Sequence, residues 1–158
     1  MPTVQTIPLE AARARIALAW GITVSLLILM AVFQSQSGHF GDDTSKAWGW
    51  LLPALMPTAG VIVATFTQTA LDPNPSPAVV RRAFYRFSLS LSLLYLALVF
   101  EAVFAAAIGP RGQQMDSLQK SNLWLGPIQG LVATALGALF VSKKHSAKDD
   151  DGTPSKDV

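Results

Sequence analysis

The chain has no cysteine and only two histidines among its 158 residues. The absence of thiols excludes disulfides, thiolate metal sites and cysteine nucleophiles. The sequence also has no H-E-x-x-H segment, phosphate-binding loop, G-x-G-x-x-G segment or nucleophile elbow. We therefore predict that the protein is not an enzyme, with no catalytic residue and no cofactor.

Charged residues are scarce as well, at 14% of the chain, against about a quarter in soluble domains. They leave four long gaps, each at least 22 residues long, and Glu101 is the only charge inside any of them. A gap of this size holds the roughly 20 apolar residues that a helix needs to cross a bilayer. The pattern predicts an all-α integral membrane protein whose four transmembrane helices lie near 16–33, 47–70, 87–109 and 122–141.

Two alternatives exist for the first span. A soluble bundle helix would keep a polar face, but the span offers only Trp20, Thr23 and Ser25 for one. A secretory signal would have a shorter apolar region, of about 7–15 residues, and the only small-x-small site that follows runs from Ser35 to Ser37. A transmembrane helix fits the segment best.

Basic residues fix the expected orientation, because Lys and Arg near helix ends stay on the cytoplasmic side. Nine of the 12 flank the spans on the side of the two termini, and only Lys46, Arg111 and Lys120 lie on the other side. Both termini should therefore be cytoplasmic, in a multi-pass protein of the cell membrane, which we expect to be a bacterial inner membrane. Trp48, Trp50 and Trp124 are then expected at the outer interface.

The domain organisation follows from composition. Residues 1–142 should form one four-helix transmembrane domain, a compact bundle with short connections. Residues 143–158 are too polar to bury a core and should form a disordered cytoplasmic tail. The net charge of +2 is explained by membrane topology, so we predict no nucleic-acid partner.

Small residues recur at every fourth position on two helices. The first span carries Ala17, Gly21 and Ser25, and the fourth carries a full-length stripe of Gly126, Gly130, Thr134 and Ala138. Such series let helix backbones approach closely in lipid, although Ala and Gly are also common in membrane helices by composition alone. The expected partners are the lipid bilayer and either a second copy or another membrane protein.

Glu101 is the one ionisable residue within the spans. Counted inward from the outer helix ends, Glu101 and Gln129 lie roughly 12 and 10 Å deep, and Ser25 and Thr58 are nearby in depth. Helical spacing places Ser90, Leu94, Ala97 and Glu101 on one face of the third helix. Because a carboxylate facing lipid costs roughly 3 kcal/mol, we predict that this face points inward and that Glu101 joins Gln129, Ser25 and Thr58 in a polar layer. A lipid-facing Glu101 is the alternative.

Two further features have plain structural interpretations. Pro53 and Pro57 should kink the second helix, and in some transporters such bends line substrate paths. His39, Asp42 and Asp43 could in principle ligate a metal, but nothing rigid orients them, so we expect a solvated turn and no metal site.

Two functions fit these features. The first is a small non-catalytic membrane protein that acts as an accessory, interaction or oligomeric effector subunit. The second is a small proton- or cation-coupled transporter or channel that uses Glu101 in a polar layer with Gln129.

Overall fold

Four long helices make up almost all of the fold. The computed structural model describes residues 5–71, 78–110 and 112–140, with the backbone alone at 68–70. Each helix is long and apolar enough to span a membrane, which confirms the predicted number of such helices. In chain order the helices are α1 (Leu9–Gln36), α2 (Thr44–Ala70), α3 (Arg82–Ile108) and α4 (Gln114–Phe140). The predicted tail at 143–158 lies outside the described residues.

The helices are longer than the predicted spans. Helix α1 begins at Leu9 instead of Ile16, because the intervening residues are mostly Ala, Arg, Leu and Glu, which favour helix whatever their hydropathy. Its 28 residues extend roughly 42 Å, against about 30 Å of hydrocarbon. The helix is therefore longer than the hydrocarbon layer is thick.

The helices form a bundle with the order α1, α2, α4, α3 around it. Helix α3 packs most extensively against α4, α2 packs against α4, α1 packs against α3, and the contact between α1 and α2 is the smallest of the four. Since α3 and α4 are consecutive and antiparallel, their outward surfaces are neighbours on the bundle.

One end of the bundle is held together by contacts between distant parts of the chain. Strand β1 (Thr6–Pro8) pairs antiparallel with strand β2 (Val79–Arg81). The Arg13 guanidinium donates to the carbonyls of Leu139 and Phe140 at 3.0 and 2.9 Å, which are the last two described residues of α4. The starts of α1 and α3 and the end of α4 therefore lie at the same end.

The opposite end of the bundle has its own hydrogen bonds. His39, in the tautomer protonated at Nε2, donates to the carbonyl of Ala106 at 3.0 Å. The Gln114 amide donates to the His39 carbonyl at 3.4 Å. His39 therefore links the last turn of α3 to the first turn of α4 at this end of the bundle.

The tryptophans differ in how they meet the surface at this end. Trp48 is half-buried and donates from Nε1 to the Ser35 hydroxyl at 3.1 Å. Trp50 is buried, and its Nε1 has no hydrogen-bond partner. Packing between helices therefore buries the Trp50 indole, whereas the Trp48 N–H is satisfied by a neighbouring hydroxyl.

Candidate functional site

The centre of the bundle is organised around the proline-containing part of α2. Pro57 has no N–H, so the carbonyl of Pro53, four residues earlier, loses its helical donor. The side-chain amide of Gln129 on α4 donates to this carbonyl at 3.1 Å and to the Ala54 carbonyl at 3.2 Å. Gln129 thus replaces the donor that Pro57 lacks and ties α4 to α2.

A tyrosine from α3 reaches the same region. The Tyr95 hydroxyl donates to the Ala54 carbonyl at 2.6 Å. The Tyr95 ring stacks on Trp20 of α1, with 6.0 Å between ring centroids and 23° between planes. Both residues are fully buried, at 0% and 1% exposure. All four helices therefore meet here, through Trp20, Ala54, Tyr95 and Gln129.

The groups at this junction are neutral. A phenol and a carboxamide satisfy backbone carbonyls of α2, which is the usual solution for backbone disturbed by proline in a membrane helix. The Tyr95 bond is buried, whereas the Gln129 bond to Pro53 lies at the edge of the bundle. The arrangement fixes the positions of the helices.

Glu101 does not belong to this junction. Ser90, Leu94, Ala97 and Glu101 do share a face of α3, as predicted, but all four are exposed on the outside of the bundle. The prediction that the face points inward is therefore wrong, and Glu101 does not pair with Gln129. In the single chain Glu101 lies on the outer surface of the bundle.

The opposite face of α3 explains this orientation. It carries Ser88, Ser92, Ala102 and Ala106, all buried, and these small side chains allow α1 and α4 to approach closely. The outer surface of α3 carries Glu101 and two bulky residues, Phe100 and Phe104, whose rings stack on each other. These large side chains do not permit such a close approach. Close packing therefore decides which face of α3 points inward.

The other members of the predicted polar layer also lie partly inside and partly outside the bundle. Thr58 is buried, at 2% exposure, and its hydroxyl has no hydrogen-bond partner. Ser25 is exposed on α1. Gln129 and Thr58 therefore lie toward the interior, whereas Glu101 and Ser25 lie outside, and the four residues do not form one layer.

The predicted packing residues lie mostly on the outer surface. On α4, Gly126, Gly130, Thr134 and Ala138 are all exposed, and on α1 Gly21 is exposed and Ala17 is half-buried. A methyl group added at Gly21, Gly126 or Gly130 would meet no atom within 4 Å outside its own helix. Gly21 and Ser25 line an open groove of about 700 Å³ between α1 and α2. These seams do not join helices within the chain.

Sequence reasoning missed Tyr95 and Trp20. The signal was present, because Ser88, Ser92, Tyr95, Val99, Ala102 and Ala106 recur at steps of 4, 3, 4, 3 and 4 residues. This series is as regular as the one that ends at Glu101, and it contains more small residues. A comparison of the two faces by side-chain size would have identified the inward one.

The described residues contain no group of three or more His, Asp or Glu side chains arranged for a metal ion. Of the loop candidates, His39 binds the Ala106 carbonyl, and Asp43 forms an ion pair with Lys46 at 2.7 Å. The function must be argued from the bundle and its surface, since no protein family, no curated protein and no solved structure matches the chain.

Proposed function

We propose that this protein is a small non-catalytic multi-pass membrane protein that acts as an accessory, interaction or oligomeric effector subunit. One observation carries the proposal. The stripe from Gly126 to Ala138 runs along the outside of α4 and packs against nothing in the described part of the chain. Because small-residue stripes in lipid promote helix association, this surface favours contact with another membrane helix.

The proposed location is a cell membrane, the inner membrane in a bacterium, with both termini in the cytoplasm. The distribution of basic residues supports this orientation. The contact of Arg13 with the end of α4 agrees with it, because the start of α1 and the end of α4 must be on one side of the membrane.

The transporter alternative loses the observation on which it depended. It required Glu101 and Gln129 to face each other inside the bundle, but Glu101 is on the outside and Gln129 donates to α2. The side chains that connect α2 to α3 and α4 by hydrogen bonds, Tyr95 and Gln129, are neutral. An association role requires no charged group inside the bundle, so it is the better supported proposal.

The proposal predicts that Gly130→Leu weakens association by at least about tenfold, or about 1.4 kcal/mol, and leaves the fold of the single chain intact. The added side chain would keep a partner helix at a distance, yet Gly130 is exposed and a Cβ there meets no atom within 4 Å outside its own helix. Energy transfer between donor- and acceptor-labelled copies in vesicles, titrated against lipid, measures the association. Thermal unfolding in detergent measures the fold.

Gly60→Leu is the matched control, because Gly60 is an exposed glycine on α2 with the same open surroundings. It should leave both readings near those of the parent chain. Equal energy transfer in the parent and the Gly130→Leu variant would show that the stripe is not an association surface.

A further inference from the structure

Glu101 is a carboxyl on the outer surface of the bundle with no ion-pair partner among the described residues. It is exposed on α3, and the ion pair between Lys46 and Asp43 is the only one among the described residues. An acidic side chain facing lipid is unfavourable, and such residues usually pair with another group. The single chain therefore leaves a charge that another molecule in the membrane could neutralise.

The complementary charge is present on the neighbouring helix. Lys120 is exposed on α4, which is the helix that packs most extensively on α3. His39 contacts both Ala106 and Gln114, and from these residues Glu101 and Lys120 lie five and six residues along their helices, roughly 7.5 and 9 Å. Counted from Tyr95 and Gln129, which both donate to the Ala54 carbonyl, they lie roughly 9 and 13.5 Å along their helices. By either reference the two charges are within roughly 5 Å of each other in depth, which is within the reach of their long side chains.

Similar depth matters because all copies of a membrane protein sit at the same level in the bilayer. A two-fold axis perpendicular to the membrane changes the position of a residue in the plane but not its depth. Such an axis beside α3 and α4 brings α3 of one copy against α4 of the other, in both directions at once. Glu101 of each copy then meets Lys120 of the other.

We propose that the occupant of the outward α3 and α4 surface is a second copy of this chain, joined to the first by two reciprocal ion pairs between Glu101 and Lys120. The inference rests on the proposed association function and names its partner and its register. Each pair neutralises a carboxylate in the membrane, and together they select one depth and one orientation of the partner.

Charge reversal in separate chains tests this pairing. Glu101→Lys alone and Lys120→Glu alone each put like charges across the interface, so each should reduce self-association at least tenfold. Mixing the two variants should restore it, because the mixed dimer has one lysine opposite one glutamate at both contacts. Energy transfer in vesicles between donor-labelled Glu101→Lys and acceptor-labelled Lys120→Glu chains measures this directly.

The mixture also distinguishes pairing between copies from pairing within a chain. Within either variant chain the two positions carry like charges, so recovery on mixing can come only from contacts between chains. Asp42→Lys, on the exposed loop before α2, changes the net charge by the same amount as Glu101→Lys. It should leave self-association unchanged.

Each other result has a definite meaning. If both single variants associate as the parent does, or if mixing restores nothing, the Glu101 and Lys120 pairing is wrong while association through another surface stands. If the parent chain itself shows no energy transfer above random proximity, and none with other membrane proteins, the proposed function is wrong as well.

Discussion

Trp20→Ala is expected to lower the free energy of unfolding by about 3 kcal/mol, at the lower end of the range for truncation of a buried Trp or Phe. Trp20 is 1% exposed and stacks on Tyr95, so truncation leaves a cavity where α1 meets α3. The transfer part of the usual cost is small, because lipid is as apolar as the protein interior. The loss of packing contacts remains, and unfolding in mixed detergent measures it.

Phe33→Ala provides the control for this substitution. Phe33 is on the same helix but is 73% exposed, so it contributes little to packing inside the bundle. Its truncation should therefore change the unfolding free energy by less than about 0.5 kcal/mol. Equal losses from the two substitutions would mean that Trp20 does not pack inside the bundle.

Gln129→Leu is expected to cost about 1–2 kcal/mol in the parent chain and less than half of that in a Pro57→Ala background. The leucine cannot donate to the Pro53 carbonyl, which Pro57 has already deprived of its helical donor. Alanine at position 57 supplies an N–H and restores the bond within α2. A double-mutant cycle of unfolding free energies measures the coupling between the two positions.

Gln119→Leu tests whether the loss of any glutamine on α4 has this effect. Gln119 is exposed, so its replacement should cost little and should show no coupling to Pro57→Ala. If the costs of Gln129→Leu and Pro57→Ala simply add, Gln129 does not replace the donor that Pro57 lacks.

The number and approximate positions of the helices could be predicted from the sequence. Charge is the most costly feature to place in lipid, so the gaps between charged residues locate the spans directly. The helix ends could not be predicted in this way. Hydropathy indicates that the apolar segment begins at Ile16, but the preceding residues also favour helix, so α1 begins earlier. The early start matters, since it brings Arg13 to the end of α4.

The inward face of α3 could not be predicted from polarity. Two series with the same helical spacing run along this helix, one through Glu101 and one through Ser92 and Tyr95. The cost of a carboxylate in lipid favoured the first, but the structure buries the second because small residues permit close helix contact. In this helix side-chain size decides the packing, and the Glu101 carboxyl stays exposed on the outer surface of the single chain.

The central junction could be predicted only in part. Pro57 and Gln129 both stand out in the sequence, as a kink residue and as a polar residue in an apolar span. Their connection depends on the backbone carbonyl of Pro53. A prediction that considers only pairs of side chains overlooks backbone acceptors of this kind. Asking which carbonyl each proline leaves without a donor would have suggested a search for its replacement.

The central claim is that the Glu101 face of α3 points out of the bundle, and oxygen accessibility along α3 tests it most directly. The chain contains no cysteine, so single cysteines can carry spin labels without background, in vesicles dilute enough to separate copies. Labels at Ser90 and Ala97 should collide freely with dissolved oxygen, and labels at Ser88 and Val99 should be protected. Free collisions at Ser88 and Val99, with protection at Ser90 and Ala97, would contradict the account.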